Sequence, residues 1–345
     1  MKAAVLHGVN DLRLENLVDP VPGRDEVLIR ITACGICGSD VNMWRGTNEE
    51  GVFPIVLGHE WVGEVVEVGS DASQFQVGDR VVSEVNVGCG QCPNCQDGLW
   101  PDMCAHVEVW GFRAECPGGM AQLHRAKESR LFRVPEKLSD EAASLVEPLS
   151  ISYHAIWDNG GVRSDDRVII FGAGPIGMLA MLACKVAGAV VTVVEPQPGR
   201  RSLAKKLGAD IALDPTSDGF KEQVDDHTKG RGGSLVIECS GNRAARGAML
   251  DVVGGQGRVI VLGITAKSEV SLDIDQLIFK SARIIGSEGS GFAFERAMSF
   301  MDQASVDFTG VITHTLPLTE LKAGFELAAG RDDACKVLLR PSLGD

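Results

Sequence analysis

The hexapeptide Gly172-Ala173-Gly174-Pro175-Ile176-Gly177 constrains the fold of this chain more than any other segment. The residues before it, Val168 to Phe171, form an unbroken apolar run. Those after it read as a helix from about Ile176 to Ala187. Strand, glycine turn and helix are the context in which G-x-G-x-x-G holds a dinucleotide. The first glycine makes the tight turn, the second lets the backbone approach the pyrophosphate, and the third lets the helix pack on the strand. The expected contacts are therefore Gly172, Gly174, Pro175, Ile176 and Gly177, with the helix N-terminus facing the phosphates. Glu195 ends the next strand, 18 residues beyond Gly177. A carboxylate there bonds ribose hydroxyls and repels a 2′-phosphate, which favours NAD over NADP. Arg200 and Arg201 work against that preference, since either can contact phosphate or pack over adenine.

Strands and helices alternate on both sides of this loop. Val190 to Val194, Ile211 to Leu213, Leu235 to Glu238, Val259 to Leu262 and Arg283 to Ile285 read as strands, and Ser202 to Gly208 as helix. Such alternation predicts a parallel sheet covered on both faces. The first 150 residues differ. Val27 to Ile31, Trp61 to Val68 and Arg80 to Val85 are short, β-branched and bounded by turns, as in a partly open barrel. From about Ser290 the chain is expected to return to that first domain, through a helix (Ala293 to Met301), a strand near Val311 to His314, a helix (Leu318 to Ala328) and a last strand (Lys336 to Leu339). The expectation is α/β: a Rossmann domain over 156–290, and a β-rich domain over 1–155 and 291–345 with a cysteine lobe at about 86–106.

Composition narrows the function. A formal net charge of −14 argues against nucleic acid and against an anionic membrane surface. Met1 to Asn16 has no apolar signal core, so a cytoplasmic protein is expected. Val168 to Cys184 is nearly long enough to span a membrane, but Gly172, Gly174, Pro175 and Gly177 fit a strand, a turn and a packed helix better.

Four of the ten cysteines fall within sixteen residues: Cys89, Cys92, Cys95 and Cys104. This spacing is too tight for separate disulfides and matches a closed four-thiolate zinc site. Cys184 and Cys239 read as small buried hydrophobes. A second set of ligand types is spread over three segments. Cys37 lies in Gly35-Ile36-Cys37-Gly38-Ser39-Asp40, His59 and Glu60 in Gly58-His59-Glu60, and Glu147 in Glu147-Pro148-Leu149. Thiolate, imidazole and carboxylate are the ligands of a catalytic zinc that keeps a position open. Glu60 either ligates or bonds to a ligand. Alone, a cysteine or a histidine reads as core packing.

In this order the motifs identify a resemblance: the chain is similar to the zinc-containing medium-chain alcohol and polyol dehydrogenases, over essentially all 345 residues. The sorbitol dehydrogenase branch is nearest, because it places a glutamate where many alcohol dehydrogenases have a third ligand cysteine, and Glu147 falls there. The resemblance implies a GroES-like catalytic domain. It implies that Cys37, His59 and Glu60 hold the catalytic zinc, that Glu147 binds the zinc or its water, and that the enzyme is a homodimer or homotetramer. There are departures. Cys95 and Cys104 are eight residues apart where seven are usual. Asn42 replaces a proton-relaying histidine, Met43 a tyrosine near the substrate, Gly289-Ser290 an Arg-Tyr substrate contact, and Asn86 a histidine of threonine 3-dehydrogenases.

The expected reaction is hydride transfer from a secondary hydroxyl of a polyol, sugar or cyclitol to NAD, giving a ketone. Ser39 is placed to accept the hydroxyl proton, and a Cys⁻/His/Glu⁻ set leaves the zinc site formally neutral. Ser39, Asn42, Asn86 and Glu288 are the candidate polar contacts to a small-molecule alcohol, one more ring-like than linear sorbitol. His154 reads either as a functional group two helical turns beyond Glu147 or as a core histidine. A threonine 3-dehydrogenase and a non-catalytic cofactor-binding protein are the alternatives.

Overall fold

The computed structural model describes residues 1–47, 53–264, 269–330 and 334–341. The chain divides into two compact units, Met1–Glu147 with Phe294–Gln303 and Ile312–Asp345, and Pro148–Ala293 with Ala304–Val311.

The first unit begins with strands β1 (Lys2–Gly8), β2 (Asp11–Asn16), β3 (Glu26–Gly35), β4 (Ile55–Val56) and β5 (Glu60–Val68). It continues with β6 (Arg80–Ser83), β7 (Asn86–Val87), β8 (Glu108–Val109), β9 (Leu123–Lys127) and β10 (Leu131–Arg133). In the second unit are β11 (Arg167–Phe171), β12 (Val190–Val194), β13 (Ile211–Leu213), β14 (Gly233–Glu238), β15 (Val253–Val261) and β16 (Arg283–Gly286). The chain then returns to the first unit for β17 (Ile312–Pro317) and β18 (Lys336–Arg340).

Unit 1 is built on a sheet of order β10-β6-β5-β3-β18-β17, to which β9 adds by pairing with β3. Its members are antiparallel except for β17 and β18. A β2-β1-β4 sheet and a β7-β8 ribbon complete it. Alternate residues such as Ile29, Ile31, Trp61 and Val65 supply the core, joined by Val337 and Leu339 from β18. Position β18 fixes much of the site: it pairs with β3 through Leu338↔Gly35 and Leu339↔Cys34.

Unit 2 is a parallel six-stranded sheet of order β13-β12-β11-β14-β15-β16. The chain runs outward from β11 in one direction and then, at β14, in the other. The switch point between β11 and β14 is where open α/β sheets bind ligands, and the glycine loop leaves the end of β11 there. Ile169, Phe171, Val194, Val236 and Val259 pack in its core.

Several elements differ in extent from the sequence expectation. The helix read as starting at Ser202 spans Pro198–Lys206, with proline in its first turn, where its missing N–H costs nothing. β15 starts at Val253, not Val259, and takes in Gly254, Gly255 and Gly257, which lack side chains to mark a strand. The expected helix from Leu318 is a short 3₁₀ turn (Leu318–Glu320) followed by Leu321–Ala329. The Arg80 strand stops at Ser83, not Val85. No helix of the described residues is long and apolar enough to cross a membrane, so the Val168–Cys184 run is a buried strand, turn and helix.

Candidate active site

Strand register assembles the first cluster. β3 and β5 pair with Gly35 opposite Glu60. Cys37 lies two residues past the end of β3, and His59 one residue before β5, so both fall at the same end of the pair. Ligand atoms of Cys37, His59 and Glu60 all lie within 4.8 Å of one another. Gly35 is required here: a Cβ at this position would sit 2.1 Å from Glu60 Oε2.

Cys37 also caps the helix Gly38–Arg45. Asp40 accepts a hydrogen bond from the Cys37 backbone N–H at 2.9 Å, closing a capping box at the start of the helix. Asp40 is fully buried, and its Oδ1 stands 3.8 Å from His59 Nδ1. Ser39 Oγ, Asp40 Oδ1 and His59 Nδ1 are enclosed and have no hydrogen-bond partner among the described residues. Three such atoms around one cluster mark a polar centre whose donors and acceptors are aimed at something other than this chain.

The buried partner of Glu60 is Lys336, at the start of β18. Lys336 Nζ donates to Glu60 Oε1 at 2.7 Å, to Oε2 at 2.5 Å and to the Ile36 carbonyl at 3.2 Å. Both side chains are about 1% exposed. Burial works to lower the Lys336 pKa, but the charges of Glu60, Cys37 and Glu147 outweigh it and raise it. The ammonium is therefore kept. Sequence reasoning missed both Asp40 and Lys336. Asp40 carries a faint signal in its C-x-x-D capping pattern; Lys336 carries none, being one charge at the edge of an apolar strand.

Glu147 lies outside the 4.8 Å group but is buried beside it. Burial pushes its carboxyl up to about 8 against the pull of His59, and the charges of Glu60 and Cys37 add to the rise. The Cys37 thiol is pushed up to about 12, by burial first and by the Glu60 charge next. Packed carboxyl and thiol groups that resist ionising together fit a dication, whose charge reverses that preference.

The second cluster fits a metal more completely. Sulfur atoms of Cys89, Cys92, Cys95 and Cys104 lie within 4.8 Å of one another, and all ten cysteines are free. Backbone N–H groups point at the sulfurs: Cys92 to Cys89 Sγ at 3.3 Å, Cys89 to Cys104 Sγ at 3.2 Å and His106 to Cys104 Sγ at 3.3 Å. Backbone donors from Cys95 and Ala105 bring Cys92 down to about 6. At Cys95, the Gly90 N–H pulls down, but partial burial and the neighbouring sulfurs together push it up to about 12. Thiolates beside one another need a cation between them, and four converging sulfurs are a zinc ligand set. The eight residues between Cys95 and Cys104 include the turn Pro101–Met103, and the four sulfurs still converge.

The glycine loop has the shape the motif requires. Gly172 adopts φ +97°, open to glycine and strained for other residues. A Cβ on Gly177 would meet the Gly172 carbonyl oxygen at 1.9 Å, whereas one on Gly174 would meet nothing within 4 Å. The second glycine thus faces open space, as a pyrophosphate cradle must. Pro175 and Ile176 open the helix Pro175–Val186. Glu195 is buried after β12, with Oε2 accepting from Ala173 N at 2.8 Å and Oε1 from Gln197 N at 2.9 Å. These bonds fix the carboxylate against the loop. Arg201 is held by the Glu195 and Pro196 carbonyls and by Asp214 at 3.0 Å, while Arg200 lies a residue earlier on the same helix.

The remaining candidates are dispersed. Asn42 is exposed on the Gly38–Arg45 helix, and Glu288 is exposed beyond β16. Asn86 turns its side-chain amide to Asp102, inside the cysteine lobe. His154 is buried, bonded to Asp158 at 2.8 Å and to Asn159 at 3.2 Å. It matches the core-histidine alternative.

Comparison with known proteins supplies the wider context. Residues 23–136 match the alcohol dehydrogenase GroES-like domain, and residues 175–303 match the zinc-binding dehydrogenase family. A sorbitol dehydrogenase of Halalkalibacterium halodurans is 32% identical over 347 residues, covering 99% of each chain. Scyllo-inosose 3-dehydrogenase of Thermotoga maritima is 36% identical over 341 residues, covering 90% of this chain and 85% of the relative. Among solved structures, a candidate zinc-binding dehydrogenase of Sinorhizobium meliloti, bound to NADP, superposes with a TM-score of 0.90 at 28% identity, with 99% of each chain covered.

Proposed function

The chain belongs to the zinc-containing medium-chain alcohol and polyol dehydrogenase family, and from that premise we propose that it transfers hydride from a secondary hydroxyl of a polyol, sugar or cyclitol to NAD, giving a ketone. The observation that carries this reading is the Cys37–His59–Glu60 convergence, with an enclosed and unsatisfied Ser39 hydroxyl beside it.

Zinc, when bound there, lowers the pKa of a coordinated hydroxyl toward neutrality. The residues of the chain do the rest. Cys37, His59 and Glu60 hold the metal, and Glu147 binds it or its water. Asp40 Oδ1 stands 3.8 Å from His59 Nδ1, beyond hydrogen-bond range, and would supply a buried negative charge beside the ring. Lys336 holds the Glu60 carboxylate through two hydrogen bonds. Ser39 Oγ would accept the hydrogen bond from the substrate hydroxyl and relay its proton onward to water, giving up its own as it takes the new one. Gly172, Gly174, Pro175, Ile176 and Gly177 would hold NAD, the hydride acceptor, with Glu195 at the ribose. The tethering of Arg201 to Asp214 and two carbonyls supports NAD over NADP, although the Sinorhizobium relative binds NADP.

The substrate class rests on relatives that act on sorbitol and on scyllo-inosose. Asn42 and Glu288 are proposed as outlying contacts to a ring-like polyol, while the Asn86 amide donates to Asp102. A cytoplasmic location accords with ten free thiols. A dimer or tetramer is proposed as well. β16 is the open edge of its sheet, and Ile284, Ile278 and Phe279 are exposed at and before it, as at edges covered by a partner.

Kinetics on linear polyols, cyclic polyols, threonine and simple secondary alcohols test the reading. Cyclic polyols are expected to give the highest kcat/KM. Threonine or an apolar alcohol as the best substrate would overturn it.

A further inference from the structure

The base of the unit 2 sheet carries a feature that the dehydrogenase reading does not use. At the ends of β11, β14, β15 and β16 opposite the glycine loop, a cavity of about 550 Å³ opens among Arg163, Arg167, Arg258 and Arg283, with Asp165, Asp166, Ser234, Gln256 and Ser281. The strand register sets the arginines side by side: Leu235 pairs with Arg258, and Arg258 with Arg283. The glycine loop follows Phe171, which pairs with Glu238 at the other end of the same strands. The cavity is therefore not part of the cofactor crevice.

Four guanidinium groups against two carboxylates invert the local charge of a chain whose net charge is −14. The pairing is uneven. Arg258 is filled, donating to the Gly160 carbonyl at 2.5 Å, the Gly161 carbonyl at 2.6 Å and Asp166 Oδ1 at 2.5 Å. Asp166 is filled too, since it also accepts from Ser234 Oγ at 2.6 Å and from the Arg163 backbone N–H at 2.8 Å. Arg167 spends its Nε on the Gly232 carbonyl at 3.1 Å, which leaves its outer nitrogens. The side chains of Arg163 and Arg283 have no hydrogen-bond or ion-pair partner among the described residues. Buried Asp166 and partly buried Arg258 thus make a floor of paired groups, and three guanidinium groups with unused donors surround the opening.

We propose that this cavity binds a phosphate-bearing small molecule, separately from NAD. Guanidinium forks match phosphate oxygens two at a time, and Ser234, Gln256 and Ser281 add neutral polar groups on the wall. A site at this end of the strands leaves the cofactor pyrophosphate in place, so occupancy and NAD binding are not competitive.

The test is calorimetric titration of the full-length, zinc-loaded protein, saturated with NAD so that the glycine loop is blocked, using inorganic phosphate and pyrophosphate, with chloride at matched ionic strength as control. Saturable binding is expected for both anions, tighter for pyrophosphate. The Arg163→Gln/Arg283→Gln double variant should lose at least about tenfold in affinity, as charge-assisted bonds would imply, with KM for NAD unchanged. The Arg258→Gln variant serves as a floor control, expected to lower stability. No saturable binding to the wild-type protein overturns the proposal. So does a double variant that binds as tightly as wild type, including one that alters only the assembly state.

Discussion

Replacing Lys336 with Met is expected to destabilise the first unit severely, because it strands a buried carboxylate. Glu60 accepts two hydrogen bonds from Lys336 Nζ, at 2.7 and 2.5 Å, and both side chains are about 1% exposed. Removing one member of such a pair typically costs about 3–5 kcal/mol. Coulomb's law agrees, giving roughly 4 kcal/mol for unit charges 4 Å apart at an effective dielectric of about 20. The uncharged pair Lys336→Met/Glu60→Gln should recover much of the loss, since no charge then remains to desolvate. Bound zinc offers Glu60 a second counter-charge, so the penalty should be larger in chelator-treated protein than in loaded protein. Urea unfolding followed by tryptophan fluorescence measures this directly. Trp44, Trp61, Trp100 and Trp110 lie in the first unit, and Trp157 alone in the second. If Lys336→Met lies within about 0.5 kcal/mol of wild type, or the double variant is no more stable than the single, the buried pair does not work as argued.

Cys92→Ser should lower the unfolding midpoint and reduce bound zinc from about two to about one per chain, with activity retained by the loaded catalytic site; metal analysis alongside a melt checks it. His124 is buried between Trp61 and Trp110, its ring 4.9 and 4.8 Å from theirs, and burial, with Arg130 beside it, brings its pKa down to about 3. The unfolded chain therefore binds the extra proton between about pH 6.5 and 3, and stability must fall as pH drops through that window. Relative to His124→Phe, wild type should lose about 2 kcal/mol more between pH 7 and pH 5, and parallel urea curves at the two pH values would show it. Steady-state kinetics should favour NAD over NADP by at least about tenfold in kcat/KM, or ~1.4 kcal/mol; equal use would mean that Arg200 or Arg201 reaches a 2′-phosphate after all.

The legible parts of this molecule were the local ones. Gly172 to Gly177 announces itself because each glycine meets a separate steric demand within six residues. Cys89 to Cys104 does so because four ligands sit on one short lobe. The catalytic cluster was legible only as residue types, since its geometry depends on the pairing of Gly35 with Glu60 across two strands. Lys336 was invisible, at 276 residues from Glu60 in sequence; nothing local separates a buried counter-ion from a strand-edge charge. The helices Gly38–Arg45, Phe220–Thr228 and Arg243–Val252 also escaped the reading. The first two hold polar or β-branched residues that lower helix propensity, and tertiary packing outweighs it. The Asn86 partner was hidden for a related reason: Asp102, which accepts from its side-chain amide, comes from a turn that the sequence did not place.

Zinc content and turnover of Cys37→Ala test the central claim most directly. Zinc-loaded wild type should carry about two zinc ions per chain and reduce NAD with a cyclic polyol. Cys37→Ala should keep the fold and the cysteine-lobe zinc, carry about one ion, and show no turnover. A Cys37→Ala protein that holds both zinc ions, or that reduces NAD at the wild-type rate, would contradict the assignment of the catalytic metal to Cys37, His59 and Glu60.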